Sequence, residues 1–167
     1  EVIFTTSGLA SDAHLGFFDT TEEASLLYVV ALSGWDNTMS TIYGLQDAPR
    51  LWDDSVAQSH CDQCRWDGVL STPNLLSGTE DRTFWASAID GLVIAGTGSV
   101  LGENELMRWQ EPDHWEPNFV GIMSGWGGAG DWSICFQSAN VTEDQCRTCE
   151  AGRFSTTTGS KHCTSCQ

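Results

Sequence analysis

The chain has 167 residues, 40% of them hydrophobic, which is enough for one domain with a small appendage and too apolar for intrinsic disorder. Its 23 acidic residues against seven Lys and Arg give a formal net charge of −16, which excludes nucleic acid and acidic membrane surfaces as partners. No stretch reaches the ~18 apolar residues of a membrane span, so we expect no membrane insertion. The chain begins at Glu1 without a leader, and we expect a processed product or a fragment of a longer protein.

Short β-prone segments separated by turns run along most of the chain. In chain order the predicted strands are Val2–Thr5, His14–Phe18, Ser25–Ser33, Met39–Tyr43, Thr83–Ile89, Gly91–Ala95, Phe119–Met123 and Trp132–Phe136. Asp90-Gly91 is a hairpin signal, and the last segment alternates as a strand with one buried face. No long amphipathic helix is present. The pattern predicts a mostly β fold, an antiparallel β-sandwich of jelly-roll type with a small disulfide-rich C-terminal module.

A change in composition near residue 136 predicts two domains, 1–137 and 138–167, the second of them incomplete. The seven cysteines are Cys61, Cys64, Cys135, Cys146, Cys149, Cys163 and Cys166. The last four have the spacing of a zinc ribbon, but an oxidising compartment would make all of them disulfide cysteines. The sequon at Asn140 favours a secreted glycoprotein. We therefore expect disulfides, an N-glycan on Asn140 and an extracellular or cell-surface location.

Two patterns imitate catalytic or metal-binding motifs. The glycine-rich segment Leu92–Gly102 resembles a dinucleotide-binding turn, but Pro112 follows too soon for the helix that such a turn requires, so a turn between strands is the better interpretation. Acidic clusters on loops are typical of solvated charge, with calcium as the alternative. We predict no catalytic residue, no metal site and no cofactor other than calcium.

Eight Trp are an excess for this length, and most of them must belong to the core. Those in turn-like segments, next to acids and amides, are typical of a carbohydrate-binding surface or of a protein–protein hot spot. The candidate ligand-binding residues are Trp35, Asp36, Asn37, Trp109, Asp113 and Trp126.

Four segments carry a family resemblance: Asp12–Leu15 (DAHL), Gly34–Tyr43 (GWDNTMSTIY), Phe84–Gly98 (FWASAIDGLVIAGTG) and Trp109–Trp132. In this order they resemble the farnesoic acid O-methyltransferase-like domain, which implies an extracellular β-sandwich that recurs in large surface and appendage proteins. The segment Cys146–Cys166 resembles ephrin-receptor-like and TNF-receptor-like repeats through Gly152, Phe154 and Ser155. That resemblance implies that Cys149 pairs with Cys163 or Cys166.

These observations predict a non-catalytic interaction or structural module of a larger secreted surface or filament protein. Its expected partners are copies of itself or sister extracellular domains, and methyltransferase activity is not expected. The β-prone segment Glu1–Ser7 is suited to pair with the exposed sheet edge of a neighbour. The alternative is a lectin-like carbohydrate-binding module that uses the loop Trp, Asp and Asn side chains, with glycans as partners.

Overall fold

The alternating apolar segments form strands, as the period-2 pattern predicts. The computed structural model of the chain describes residues 1–20, 26–45, 64–66, 69–111, 116–125, 128–136, 153–154 and 164–165. The strands are β1 (Val2–Ser7), β2 (Ala13–Phe18), β3 (Leu26–Ser33), β4 (Met39–Leu45), β5 (Cys64–Trp66), β6 (Leu70–Ser71), β7 (Arg82–Ile89), β8 (Leu92–Thr97), β9 (Glu105–Gln110), β10 (Phe119–Ser124), β11 (Asp131–Phe136), β12 (Arg153–Phe154) and β13 (Thr164–Ser165). All eight predicted strands are present.

Two antiparallel sheets contain the first eleven strands. The five-stranded sheet has the order β11-β1-β7-β8-β9. The six-stranded sheet has the order β10-β2-β3-β4-β5, with β6 also paired to β4. The fold is therefore the predicted mostly β sandwich. A separate two-stranded ladder joins β12 and β13.

One hydrophobic core lies between the two sheets. Phe4 packs against Phe84 with ring centroids 5.5 Å apart and against Trp132 at 5.9 Å, which ties β1 to both of its neighbours. Tyr28 of the six-stranded sheet meets Trp109 of the five-stranded sheet edge-on at 5.9 Å. Each aromatic ring buries a large area, so these contacts contribute strongly to the core.

The first strand lies inside its sheet, which contradicts the predicted role of Glu1–Ser7. Residues Val2–Ser7 pair with β11 on one side, and Val2–Thr6 pair with β7 on the other. Val2 and Phe4 are fully buried. Because both edges of β1 are already paired, this segment has no free backbone groups for the sheet of a neighbour. The prediction that it pairs with another chain is wrong.

The glycine-rich segment is a strand followed by a hairpin, as predicted. β8 pairs antiparallel with β9, and the connection between them turns through Gly98 and Gly102, which have positive φ. Gly96 has a different role, because a Cβ at this position would overlap the indole of Trp85. The glycine thus allows Trp85 to lie flat across β8.

Candidate functional site

Four segments meet at one end of the sandwich and are joined by backbone hydrogen bonds. We call this surface the Trp35 end and define it as Ser11–Asp12, Ser33–Thr38, 72–76 and Ser124–Gly125. The Asp12 N–H donates to the carbonyl of Ser33 at 3.0 Å, and the Gly125 N–H donates to the carbonyl of Asp12 at 2.9 Å. On the other side the Thr72 N–H donates to Thr38 at 2.7 Å. Segments that are distant in the sequence therefore form one continuous surface.

The connection between β3 and β4 has an unusual backbone. Gly34–Asn37 form a single helical turn, but φ is 51° at Trp35, 57° at Asp36 and 60° at Asn37. A left-handed conformation costs a residue other than glycine about 1–2 kcal/mol, and consecutive residues of this kind are rare. Such strain persists only where the surroundings enforce it, and it concentrates at functional sites.

Asn37 connects this turn to the segment 72–76. Its side-chain amide donates to the carbonyl of Leu76 at 3.0 Å, and its side-chain carbonyl accepts from the Leu76 N–H at 3.2 Å. The Asn37 backbone carbonyl also accepts from the N–H of Asn74 at 2.9 Å. Below the turn the buried hydroxyls of Ser40 and Thr72 lie 2.6 Å apart, and the Ser40 hydroxyl accepts from the N–H of Ser33. These contacts offset the strain of the turn.

The result of the left-handed turn is an exposed indole. Trp35 is 52% exposed, and the next residue, Asp36, is exposed as well. The Trp35 carbonyl accepts a hydrogen bond from the Thr38 hydroxyl, so the backbone of the turn is satisfied internally. An indole and a carboxylate on consecutive residues are therefore both exposed to the solvent, on a backbone that is held in place.

A buried acid and a buried imidazole lie beneath this surface. Asp12 directly precedes β2 and His14 lies in it, and the Asp12 Cβ and the His14 Cε1 are each 3.3 Å from the position that a Cβ at Gly125 would occupy. Burial raises the pKa of Asp12, the hydrogen bond from Ser11 opposes this shift, and the nearby Asp36 carboxylate adds to it. Burial lowers the pKa of His14 to about 4, so this imidazole is neutral at pH 7.

The family comparison covers all four segments of the Trp35 end. The family model described as farnesoic acid O-methyltransferase matches residues 4–137. The chain belongs to this family. Searches of the curated proteins and of the solved structures gave no match. The farnesoic acid O-methyltransferase match includes β1 to β11 almost completely and ends before the segment 138–167.

The structure brings together three of the six candidate ligand-binding residues, namely Trp35, Asp36 and Asn37. Trp109 is elsewhere: it lies in β9, is 7% exposed and packs edge-on against Tyr28, so the expectation of an exposed ring at this position is wrong. The run Arg-Trp-Gln-Glu-Pro resembles a turn in composition, but its first three residues belong to the extended strand β9. Asp113 and Trp126 lie outside the described residues.

Most of the predicted disulfide cysteines, and the predicted glycosylation site, lie outside the described residues. Cys135 in β11 is disulfide-bonded. Only the backbone of Cys64 is described, in β5. Cys61, Cys146, Cys149, Cys163, Cys166 and Asn140 lie outside the described residues.

Asp12 and His14 belong to the segment Asp12–Leu15 of the family resemblance, but they are not among the candidate ligand-binding residues. No local pattern reports their shared position, because Asp12 precedes β2 with a φ of 58° and the alternation of the strand does not extend to it. In the described part of the chain, no group of three or more His, Cys, Asp or Glu could hold a metal ion. The same part contains no helix with the length and apolarity of a membrane span.

Proposed function

We propose that this chain is a non-catalytic interaction module of a larger secreted surface or filament protein, and that it binds partner domains through the Trp35 end. The observation that carries the proposal is the strained turn that exposes Trp35. A fold gains nothing in stability from three left-handed residues and a solvent-exposed indole, whereas exposed Trp side chains are frequent anchors of protein interfaces.

The family name implies a methyltransferase, and we propose that this chain does not transfer methyl groups. The glycine-rich segment that could cradle a nucleotide-like cofactor continues into the antiparallel strand β9. Phosphate- and nucleotide-binding turns of this type need a helix N-terminus after the strand. Titration of the full chain with S-adenosylmethionine in a calorimeter should give no heat of binding. Micromolar affinity would contradict this part of the proposal.

A cysteine-rich connector is the second part of the proposal. The disulfide at Cys135 places one cross-link at the last strand of the sandwich, directly before the segment 138–167. A disulfide-bonded repeat there would link the sandwich to the next domain. An N-glycan on Asn140 and an extracellular location belong to the same proposal. Peptide mapping should find Cys146, Cys149, Cys163 and Cys166 oxidised, and retention of about one zinc per chain through dialysis would contradict it.

Carbohydrate binding is the second candidate function, and one observation favours it. The exposed ring of Trp35 is followed directly by the exposed carboxylate of Asp36. A ring face that stacks on a sugar and an acid that accepts from its hydroxyls are a common combination in carbohydrate sites. Calcium could take part through the same carboxylates.

Site-specific cross-linking separates these two functions. A photoreactive amino acid replaces Trp35 in one version of the full chain and Ile89 in a control version, and each is incubated with native surface material. Ile89 is a suitable control because it is 47% exposed and lies at the far end of β7. We expect one discrete protein adduct from position 35 and none from position 89. Equal adducts from both positions, or Trp35-dependent binding to a glycan array without a protein adduct, would contradict the interaction module.

A further inference from the structure

The two arginines with described side chains are already paired within the chain. Arg82 contacts the carboxylate of Glu80 at 2.8 Å, and Arg108 forms a two-bond contact with Glu105. The described segments 26–45 and 69–79, which build the turn and its support, contain no Lys or Arg. In contrast, Asp36, Asp81, Glu103 and Asp131 lie at this end of the strands. Among the described residues, the turn and its support therefore carry the exposed carboxylate of Asp36 and no cationic side chain.

Exposed apolar side chains are concentrated beside the same turn. Six large hydrophobic residues of the described chain are exposed, and four of them form what we call the apolar corner: Trp35, Met39, Val69 and Leu70. The bridge between Gly34 and Met39 places Met39 next to Trp35. The pairing of Met39 with Ser71 brings β6 and the preceding Val69 alongside. Clustered exposed apolar groups of this kind indicate an interaction surface.

A cationic side chain suits this combination better than any other group does. A guanidinium stacks on a Trp face and can form a charge-assisted hydrogen bond with a neighbouring carboxylate at the same time. Trp35 and Asp36 are consecutive and both exposed, so the same partner surface can contact both. The apolar corner would then pack against the aliphatic residues that flank this arginine. Stacking of a neutral sugar would leave the acidic surroundings without a counter-charge.

A second copy of the chain is a poor occupant of this surface. Each copy has a formal net charge of −16, and a two-fold contact through the Trp35 end would bring the exposed Asp36 carboxylates of both copies into one interface. Like charges placed against each other across an interface cost several kcal/mol. Both arginines with described side chains are already engaged with glutamates of their own chain.

We infer that the Trp35 end binds an arginine-bearing, partly apolar surface of a different protein domain, with one arginine stacked on Trp35 and paired with Asp36. This inference rests on the proposed interaction function and specifies the chemistry of the partner. It also assigns the acidic composition a role at this end, because carboxylates steer a basic partner and an indole anchors it.

The test uses synthetic peptides as probes and the full chain with four substitutions. The probe alternates arginine and leucine, and a second peptide has glutamate in place of arginine. Two substitutions remove the proposed contacts, Trp35→Ala and Asp36→Asn. The other two are matched controls in the hairpin at the far end of β7, Ile89→Ala and Asp90→Asn, which change apolar exposure and net charge by similar amounts. Binding is measured by calorimetry at ~0.15 M salt, where exposed charges are screened beyond ~8 Å.

We expect the arginine peptide to bind and the glutamate peptide not to bind. Trp35→Ala should weaken binding about tenfold, as expected for the loss of an interface anchor. Asp36→Asn should weaken binding about threefold, because exposed ion pairs are weak. The two controls should bind within about twofold of the unchanged chain. Equal binding by all variants would show non-specific attraction to a polyanion and would overturn the inference.

Two further outcomes separate this inference from the proposed function. A protein adduct from position 35 without arginine-peptide binding would overturn the basic partner and leave the interaction module standing. If neither the protein adduct nor the arginine-peptide binding is found, both this inference and the proposed interaction function are overturned. Trp35-dependent dimerisation in light scattering, or Trp35-dependent binding to a glycan array, would identify a second copy or a sugar as the occupant and would overturn the inference.

Discussion

Trp85 and Trp35 are the same residue type in two opposite situations. Trp85 lies in β7, is 2% exposed and covers Gly96, and its indole N–H donates to the carbonyl of Glu103 at 2.7 Å. Trp35 is 52% exposed and lies on a left-handed turn. The difference comes from the backbone and not from the side chain. Trp85 alternates with the core residues Phe84 and Ala86 on an extended strand, so its ring lies flat on the outer face of the sheet over Gly96, whereas the left-handed turn directs Trp35 into the solvent. The first Trp stabilises the fold, and the second is available to a partner.

The largest loss of stability is expected when the buried ring of Trp85 is removed. Trp85→Ala would leave a cavity above Gly96 and remove the hydrogen bond to Glu103, and we expect it to lower the free energy of unfolding by about 3–5 kcal/mol. Trp35→Ala should change it by no more than ~0.5 kcal/mol, as is usual for an exposed position. Urea unfolding monitored by circular dichroism measures both. Comparable losses from the two substitutions would remove the distinction between the two rings.

The buried imidazole should make stability depend on pH. The pKa of His14 is about 4 in the folded chain and 6.5 when unfolded, so the unfolded state binds more protons between these values. Stability should therefore fall by about 1.4 kcal/mol per pH unit as the pH drops from 6.5 toward 4, or about 3 kcal/mol in total. The raised pKa of Asp12 acts in the opposite direction, because protonation of Asp12 favours the folded state in acid.

Unfolding of His14→Gln at pH 7.0, 6.0 and 5.0 isolates the histidine contribution. The variant should lose most of the slope that the unchanged chain shows between pH 6.5 and 5. Asp12→Asn is the matched variant, and it should retain this slope. An identical pH dependence for His14→Gln and the unchanged chain would contradict the burial of a neutral imidazole at this site.

A smaller effect is expected at the residue that holds the left-handed turn. Asn37→Ala removes two hydrogen bonds to Leu76 and places a less tolerant residue at a φ of 60°, which should cost about 1–3 kcal/mol. Asn37→Gly loses the same hydrogen bonds but tolerates the backbone, so it should cost less than the alanine variant. Thermal unfolding compares the two. Equal losses would show that only the hydrogen bonds matter at this position.

The strands could be predicted from the sequence because their signals are local. The alternation in Trp132–Phe136 and the Asp90-Gly91 turn each depend on a few adjacent residues, and both are present in the structure. β9 was not predicted, because Glu105–Gln110 is half polar and leads into a proline. Its place in the sheet comes from pairing with β8 and from the contact of Trp109 with Tyr28, which is 81 residues away.

The candidate site could be predicted only in part, for a related reason. Trp35, Asp36 and Asn37 were identified by composition, since aromatic, acidic and amide residues in a turn are typical of binding surfaces. The left-handed backbone of these residues depends on contacts with a segment about 39 residues away, through Leu76 and Asn74. No local pattern reports such contacts. The burial of Asp12 and His14 under Gly125 is likewise a result of tertiary packing.

Replacement of Trp35 by glycine tests the central claim most directly. Glycine adopts the φ of 51° without strain, which stabilises the folded state, but it also adds entropy to the unfolded state. The free energy of unfolding of Trp35→Gly should therefore stay within ~0.5 kcal/mol of the unchanged chain or rise by up to ~1 kcal/mol. The same variant should lose the interaction of the Trp35 end, measured as binding to the arginine peptide. A loss of more than ~1 kcal/mol in stability, or unchanged binding, would show that Trp35 is there to hold the fold and not to bind a partner.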